Sequence, residues 1–453
     1  MKTKLLNSLL VLVLLATTGC AGALTPSPAT PAAEETSTPQ PAATQPSDSQ
    51  NDIVLVRSER PRDTAPVVAE VDLEELVAGN NRFALDLYQS IRNADGNLFY
   101  SPYSISTALA MTYAGARGNT AQEMAEALNF TLPADRLHPA FNQLDLNLKS
   151  RGEDIPEEDE GRGFTLNIVN SLWGQDDYAF LPEFLDLLAE NYAAGLRLLD
   201  FASAPEAARQ LINEWVMEQT NDRIEDLIPP GVIDALTRLV LVNAIYFNAG
   251  WASPFEQALT QEADFALLDG RTIPVPMMNQ TKVFGYTAGE GFQAVELPYY
   301  GHETSMVILH PDLQNFENFE SNLNADRLNE ILAGLGSANM NLSLPKFEFE
   351  MSLPVAAHLI EMGMVEAFQE RQADFSGMDG TRELYIQDVL HKAFVSVDEE
   401  GTEAAAATAI VVGVTSMPAD PIDVSIDSPF IFLIRDMESG SILFIGRVLN
   451  PVS

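Results

Sequence analysis

Cysteine is nearly absent: the chain of 453 residues holds one, Cys20. A single thiol closes no intramolecular disulfide, so no internal cross-link is available to the fold. Histidine is scarce as well. The five are His138, His302, His310, His358 and His391, and no pair has the HExxH or HxH spacing of a zinc site. No GxSxG elbow, P-loop or second cysteine occurs, which removes the usual sequence signs of acyl transfer, phosphate binding and thiol chemistry. Positive charge is short too. Twenty-five Lys and Arg stand against 65 Asp and Glu, a formal net charge of −40, which repels nucleic acid phosphates and anionic membrane surfaces. Polyanionic partners are therefore not expected, and the acidic surface either solubilises the chain or favours a basic target.

Two near-motifs dissolve on inspection. The acidic stretch Glu153 to Glu160 lacks the glycine and ligand spacing of an EF-hand and is expected to be a loop. Gly289-Glu290-Gly291-Phe292-Gln293-Ala294 mimics a dinucleotide fingerprint, yet leads into a strand and not a helix, so a turn is expected.

The apolar run Leu5 to Leu15, behind Lys2 and Lys4, is too short to span a membrane comfortably. With the small residues that follow, it describes a secretory signal over residues 1–20. Leu14-Leu15-Ala16-Thr17-Thr18-Gly19-Cys20 resembles a bacterial lipoprotein signal, which implies cleavage before Cys20 and a lipidated thiol that tethers by burying methylenes. Thr17 departs from the aliphatic residue usual there, and an ordinary cleaved signal or an uncleaved anchor are the alternatives. Residues 21–70 are rich in Pro, Ala, Thr and Ser, with Pro26, Pro28, Pro31, Pro39, Pro41 and Pro46. That composition builds no core and predicts a disordered, semi-extended spacer ahead of a folded domain over 71–453.

At 46% hydrophobic residues the domain has ample material for a core. Leu73, Leu76, Val77, Phe83, Ala84, Leu87 and Ile91 recur at three and four residues and predict a first helix. Ser101-Pro102 precedes a second at Ile105 to Tyr113, Asn119-Thr120 resembles a cap for Ala121 to Leu128, and Pro205 opens a helix through Trp215 to Thr220. After Pro230 strands are predicted: Leu239 to Phe247, Ala294 to Leu297, Met306 to Leu309, Asn341 to Met351, Ala393 to Val397, Phe430 to Ile434 and Ile442 to Val448. Helices first and strands later, without regular alternation, point to an α+β fold.

Several segments carry a family resemblance. Asn97-Leu98-Phe99-Tyr100-Ser101-Pro102-Tyr103-Ser104-Ile105-Ser106-Thr107-Ala108-Leu109-Ala110-Met111, continuing to Gly115-Ala116-Arg117-Gly118-Asn119-Thr120, resembles the signature segment of serpins. Leu241 to Phe247 with Trp251, Leu344-Pro345-Lys346-Phe347, Ala373 to Met378 and Val389-Leu390-His391-Lys392-Ala393 are similar too, in family order. The resemblance implies three β-sheets, about nine helices and an exposed loop near the C-terminus. It implies that Ser101, Ser104, Asn243 and His391 form a polar cluster under the sheet where strands must part, with Trp251 at the breach above it. Asn221-Asp222-Arg223-Ile224, and Asn248-Ala249-Gly250 before Trp251, depart from the family pattern without touching the hinge.

The stretch Asp398-Glu399-Glu400-Gly401-Thr402-Glu403-Ala404-Ala405-Ala406-Ala407-Thr408-Ala409 resembles the hinge of inhibitory serpins. By itself it could be a short Ala-rich helix, but the run is short and is followed by β-branched Ile410, Val411 and Val412. The resemblance implies a serine protease inhibitor, not an enzyme, that works as a suicide substrate: the loop is cut and enters the sheet as a strand before the acyl-enzyme hydrolyses. Alternation then sends Thr402, Ala404, Ala406 and Thr408 to one face, all small, and Glu403 to the other. The implied role of Gly401 is backbone freedom. The family's hinge length places the cut between Thr415 and Ser416, with Met417 as a second candidate. Val412, Gly413 and Val414 before it suit an elastase-like or subtilisin-like pocket. The partner implied is a serine protease held in a covalent acyl complex by a monomer, with no cofactor, no metal, no nucleic acid and no membrane contact beyond a lipid on Cys20. The alternatives are a non-inhibitory serpin acting as a binding or structural surface protein, and a secreted hydrolase.

Overall fold

The structure, a computed structural model, describes residues 53–152, 165–220, 222–402 and 420–452. Among these, ten α-helices form: α1 (Glu70–Ile91), α2 (Pro102–Tyr113), α3 (Gly118–Ala127), α4 (Ala134–Lys149), α5 (Pro182–Tyr192), α6 (Pro205–Gln219), α7 (Phe316–Ser321), α8 (Ala325–Ala333), α9 (Val355–Glu361) and α10 (Ser376–Asp379). The strands of the first half are β1 (Val54–Val56), β2 (Leu98–Tyr100), β3 (Thr165–Gln175), β4 (Leu196–Leu199), β5 (Leu239–Gly250), β6 (Gln261–Ala266), β7 (Thr272–Gly289) and β8 (Phe292–Pro298). Those of the second are β9 (Thr304–Pro311), β10 (Gly336–Pro345), β11 (Phe347–Pro354), β12 (Asp388–Val397), β13 (Gly401–Thr402), β14 (Ile422–Ser425), β15 (Phe430–Asp436) and β16 (Ile442–Val448).

Local chemistry explains the central pieces. Ser101 caps α2 by accepting from the Ser104 amide, and Pro102 occupies the first turn, where a missing N–H costs nothing. Nearly all of α2 is buried, so it is a core helix and not an amphipathic one. β15 and β16 read as continuous apolar runs because both faces are covered; Phe99 stacks between Phe432 and Phe444, at 5.7 and 5.1 Å. Gly291, at φ +73°, turns the chain between β7 and β8, in the segment whose spacing mimics a dinucleotide site.

The strands pair in two sets. A seven-stranded sheet runs β1-β4-β3-β5-β13-β12-β11, and a nine-strand set runs β14-β10-β7-β8-β9-β15-β16-β2, with β6 on β7. The second set joins what would be two of the three expected sheets, because β7 is long enough to pair with β6 over 272–277, with β10 over 277–286 and with β8 over 285–289. The single strand expected over Asn341 to Met351 is in fact two, β10 and β11, which separate at Lys346 into different sheets.

The expected spacer reaches too far. From Ile53 onward the chain is part of the fold: Val54, Leu55 and Val56 pair with Leu198, Arg197 and Leu196 of β4. Arg60 then bridges to Asp186 and Glu190, and Arg62 to Asp145 at 2.6 Å, while buried Asn142 donates to the Asp63 carbonyl at 2.7 Å. Pro-rich composition concealed a three-residue strand and two paired arginines. Residues 1–52, including Cys20, and the acidic stretch Glu153 to Glu160 lie outside the described residues.

Candidate functional site

β5 and β12 meet in parallel at the centre of the seven-stranded sheet, Asp388 opposite Val240 through Ala393 opposite Ile245. Above that stretch β13 lies between them: Thr402 pairs with Val397 of β12 and with Ala249 of β5, and Gly401 with Gly250. Val397 and Ala249 are the partners the β5–β12 register would bring together if it continued upward. A strand running on from Thr402 therefore meets both neighbours already in step. To admit it, β5 and β12 need to separate sideways and not to slide.

The chain reaches β13 through a tight turn. The Asp398 carboxylate accepts from the amides of Glu400 and Gly401 at 2.9 and 3.3 Å, and its own amide donates to the Gly401 carbonyl at 3.0 Å. Space requires a glycine at 401: its φ is not in the left-handed region, and a Cβ there would stand 2.2 Å from the Ala249 carbonyl oxygen. This steric requirement stands beside the backbone freedom that the resemblance implies for it. Thr402 is buried, its hydroxyl 2.7 Å from that of Tyr299.

Trp251 holds this corner. Its ring stacks on Tyr299 at 4.7 Å with planes 6° apart, its indole N–H donates to the Asp398 carbonyl at 2.9 Å, and its amide to the Glu400 carbonyl at 2.8 Å. Beside it, Glu399 receives Lys346 Nζ at 2.6 Å and the Thr260 hydroxyl at 2.7 Å. Burial opposes its ionisation, but the Lys346 and Thr260 hydrogen bonds outweigh that and hold Glu399 below the usual carboxylate range.

The four polar residues expected under the seam do come together there. His391 and Asn243 are the paired residues of β12 and β5, and their side chains bond across it through His391 Nδ1 and Asn243 Oδ1. The Ser101 amide donates to His391 Nε2 at 3.1 Å, so that nitrogen is the acceptor and the proton sits on Nδ1. Asn243 Nδ2 donates to the Ser104 hydroxyl at 2.5 Å, and the Ser101 hydroxyl donates to the Leu443 carbonyl at 2.7 Å. Burial pushes His391 down to about 3, so the ring is neutral and fully hydrogen-bonded.

A fifth member, Asn170 of β3, was not expected. It faces Asn243 in register, accepts from Asn243 Nδ2 and from the Ser104 hydroxyl, and donates to the Ser104 carbonyl. Only the β3–β5 pairing brings it here. Tyr299 and Thr260 were missed because only tertiary packing brings them to Thr402 and Glu399.

The remaining histidines are dispersed. His310 Nε2 lies 2.7 Å from the Ser428 hydroxyl, with Gln293 on Nδ1, a serine–histidine pair that is buried away from any substrate. His358 meets Ser90 at 2.8 Å, with Glu361 on the same side of the ring, where it cannot orient the imidazole from behind. Of the expected hinge, Glu400, Gly401 and Thr402 are described. Glu403, Ala404, Ala405, Ala406, Ala407 and Thr408, and the bond candidates Thr415, Ser416 and Met417, lie outside the described residues.

Residues 78–451 match the family model described as Serpin (serine protease inhibitor). An uncharacterized serpin-like protein of Thermococcus kodakarensis is 40% identical over 91% of this chain and 93% of its own. A leukocyte elastase inhibitor of Sus scrofa is 43% identical over 84% of this chain and 100% of its own. Among solved structures, tengpin, a thermophilic serpin in its native state, covers 87% of this chain and 99% of its own at 28% identity, with a TM-score of 0.76. Sequence signature, sheet order and the parted seam agree with these likenesses, and the chain belongs to the serpin family of serine protease inhibitors.

Proposed function

We propose that this chain is an inhibitory serpin that traps a serine protease as a stalled acyl-enzyme. The protease serine attacks the Thr415 carbonyl, the bond to Ser416 breaks, and the proton passes through the protease histidine to the leaving amine. An ester between Thr415 and the protease remains. Water normally hydrolyses it; insertion of the cut loop as a strand moves the ester and distorts the triad first. Residues 402 to 415 at roughly 3.3 Å each carry the protease on the order of 45 Å.

The observation that carries this reading is the seam: Thr402 already lies between β5 and β12, in the register that the rest of a strand would use. The residues after it are small where they would turn inward, so insertion meets no charge and little bulk on the buried face. Val412, Gly413 and Val414 favour a target with a narrow apolar pocket, elastase-like or subtilisin-like.

The test is to incubate the chain from Ala21 onward with pancreatic elastase, subtilisin and trypsin, run denaturing gels, and sequence the released peptide. A complex that survives denaturation, with a peptide beginning at Ser416, supports trapping and the bond together. Clean cleavage across the panel points instead to a non-inhibitory serpin used as a binding surface. We further propose export and a lipid on Cys20; the check is mass spectrometry of the N-terminal peptide from detergent-extracted envelope, where an unmodified Cys20 or an N-terminus elsewhere refutes it.

A further inference from the structure

From Leu5 to Val56 the sequence holds no lysine and no arginine, and three arginines then follow within six residues, Arg57, Arg60 and Arg62. They stand where the folded domain begins. β1 is the outermost strand of the seven-stranded sheet and is held to β4 through Val54, Leu55 and Val56 alone, with Val54 and Leu55 half-exposed. Past the β1 ladder, the next backbone–backbone hydrogen bond among the described residues runs from the Asp63 amide to the Glu190 carbonyl at 2.9 Å. The strap between them lines, with Ala189, Ala193 and Ala194, a cavity of about 590 Å³.

The three arginines are not equivalent. Arg62 is 13% exposed and bonded to Asp145 and Asn142. Arg60 is tied to Asp186 and Glu190, and Pro61 follows it, a ring that crowds the bond between them. Arg57 is exposed, pairs with no carboxylate among the described residues, and precedes a serine.

We propose that the Arg57–Ser58 bond is a processing site, where a protease of trypsin-like specificity parts the folded domain from everything before it. Proteases bind the residues ahead of a cut as an extended strand, and Val54 to Val56 are already extended, with one backbone edge unpaired. A three-residue edge strand lies at the low end of local stability, so lifting it to seat the bond asks little of the rest of the fold. The step is a hydrolysis: the Arg57–Ser58 amide breaks, one water is consumed, Arg57 keeps a carboxylate and Ser58 gains an α-ammonium. That cation arises beside an anion, because the Ser58 hydroxyl already donates to Asp186 Oδ1 at 2.5 Å. The cut end is thereby fastened, and the ion pairs of Arg60 and Arg62 keep the rest of the strap on α5 and α4. The bait does not catch this enzyme. From Ala393 to Ile434 there is no lysine or arginine, so a pocket that reads basic residues finds nothing there. Release and trapping thus answer to two different protease specificities.

The experiment exposes the full chain to trypsin at a low ratio, without denaturant, and follows intact mass and new N-termini with time. The expected first product is a domain that begins at Ser58 and is not trimmed on to Asp63. In Arg57→Gln this cut is expected at least about a hundredfold slower, because a pocket built for a cationic side chain rejects a neutral one, with the melting midpoint at the parental value. Arg57→Lys restores the cut and opens it to a lysine-specific protease that leaves the parent intact at this bond. A first product beginning at any other residue overturns the inference, as does parental cutting of Arg57→Gln. Trimming on to Asp63 at a comparable rate overturns the fastening by Asp186. A complex with trypsin that survives denaturation overturns the separation of the two specificities.

Discussion

Gly401→Ala tests the hinge geometry directly. A Cβ at 401 would lie 2.2 Å from the Ala249 carbonyl oxygen and 2.7 Å from Gly250 Cα, both backbone atoms that cannot swing aside. β13 has to leave the seam. That forfeits the ladder contacts of Gly401 and Thr402 with β5 and β12, and the Tyr299–Thr402 hydrogen bond. Two to three net hydrogen bonds at about 1 kcal/mol each give a loss of about 2–3 kcal/mol. If strand entry starts from β13, the start is lost, and 2 kcal/mol on that barrier slows insertion about 30-fold at 1.36 kcal/mol per decade. Hydrolysis of the acyl-enzyme then overtakes it. The expected outcome is a melting midpoint a few degrees lower, an unchanged rate of loop cleavage, and a stoichiometry of inhibition that rises by an order of magnitude. Tryptophan fluorescence offers a second readout, because Trp251 is one of three tryptophans and stacks on Tyr299. A variant with parental midpoint, parental stoichiometry and parental emission would refute the reasoning.

Three further predictions concern stability. His138, buried in α4 with Nδ1 on the Tyr192 hydroxyl and Nε2 unpartnered, is pushed by burial down to about 4. The unfolded chain takes up that proton near 6.5 and the folded chain does not, so stability falls as pH drops from about 6.5 toward 4; His138→Phe should flatten midpoint against pH over that window, and an unchanged slope counts against the assignment. Glu399 acts in the same direction over a lower window, since its folded carboxylate is held low: its contribution is full above the unfolded value and is lost as pH falls below about 4.3. Glu399→Gln should cost about 1–3 kcal/mol at pH 7 by leaving Lys346 without its anion, and the difference from parent should shrink in acid; a pH-independent difference would point to packing instead. Deleting residues 53–69 removes β1, exposes the β4 edge and strips buried Asn142 of Asp63 and Arg62, which should cost at least about 3 kcal/mol in a denaturant titration. A 53–69 deletion variant with parental stability would show that the strap is ornamental.

What the sequence exposed and what it hid divide along physical lines. α2 was legible because a serine cap, Pro102 and the apolar stretch Ala108 to Met111 coincide, and β15 and β16 because both of their faces are buried. α3 was legible but shifted: it begins at Gly118 behind Arg117, and Thr120 spends its hydroxyl on Glu366 and the Asp374 amide, not on a cap. β3 escaped notice because Asn167, Asn170 and Ser171 interrupt its apolar character; Asn170 serves a tertiary bond with Asn243, and Ser171 accepts locally from the Trp173 indole. The boundary within 341–351 was invisible for a similar reason, since nothing local says that Lys346 leaves one sheet for another in order to meet Glu399. Ser101, Ser104, Asn243 and His391 were named from family segments alone; polar residues inside apolar strands mark a buried network, but their partners follow only from register.

The seam explains how one sheet can be both stable and ready to open. β5 and β12 satisfy each other over six residue pairs, and the His391–Asn243 bond closes their middle from beneath. Parting them forfeits that single ladder and one cross-strand bond. A strand entering between them rebuilds the β5 edge and the β12 edge separately, so two ladders replace one, and the offset set by Thr402 lets both form without register slip. Because the cluster rests on Ser101, Ser104 and Asn170, those groups can stay bonded to one another while Asn243 and His391 move apart. The barrier is thus concentrated in lateral separation, below a wedge already begun at Gly401 and Thr402. Substitutions that tighten the seam, such as a shorter contact across 243 and 391, should therefore slow trapping while raising the stability of the uncut chain, and those that loosen β13 should slow trapping while lowering it. Opposite stability effects with the same functional direction separate the wedge from the barrier.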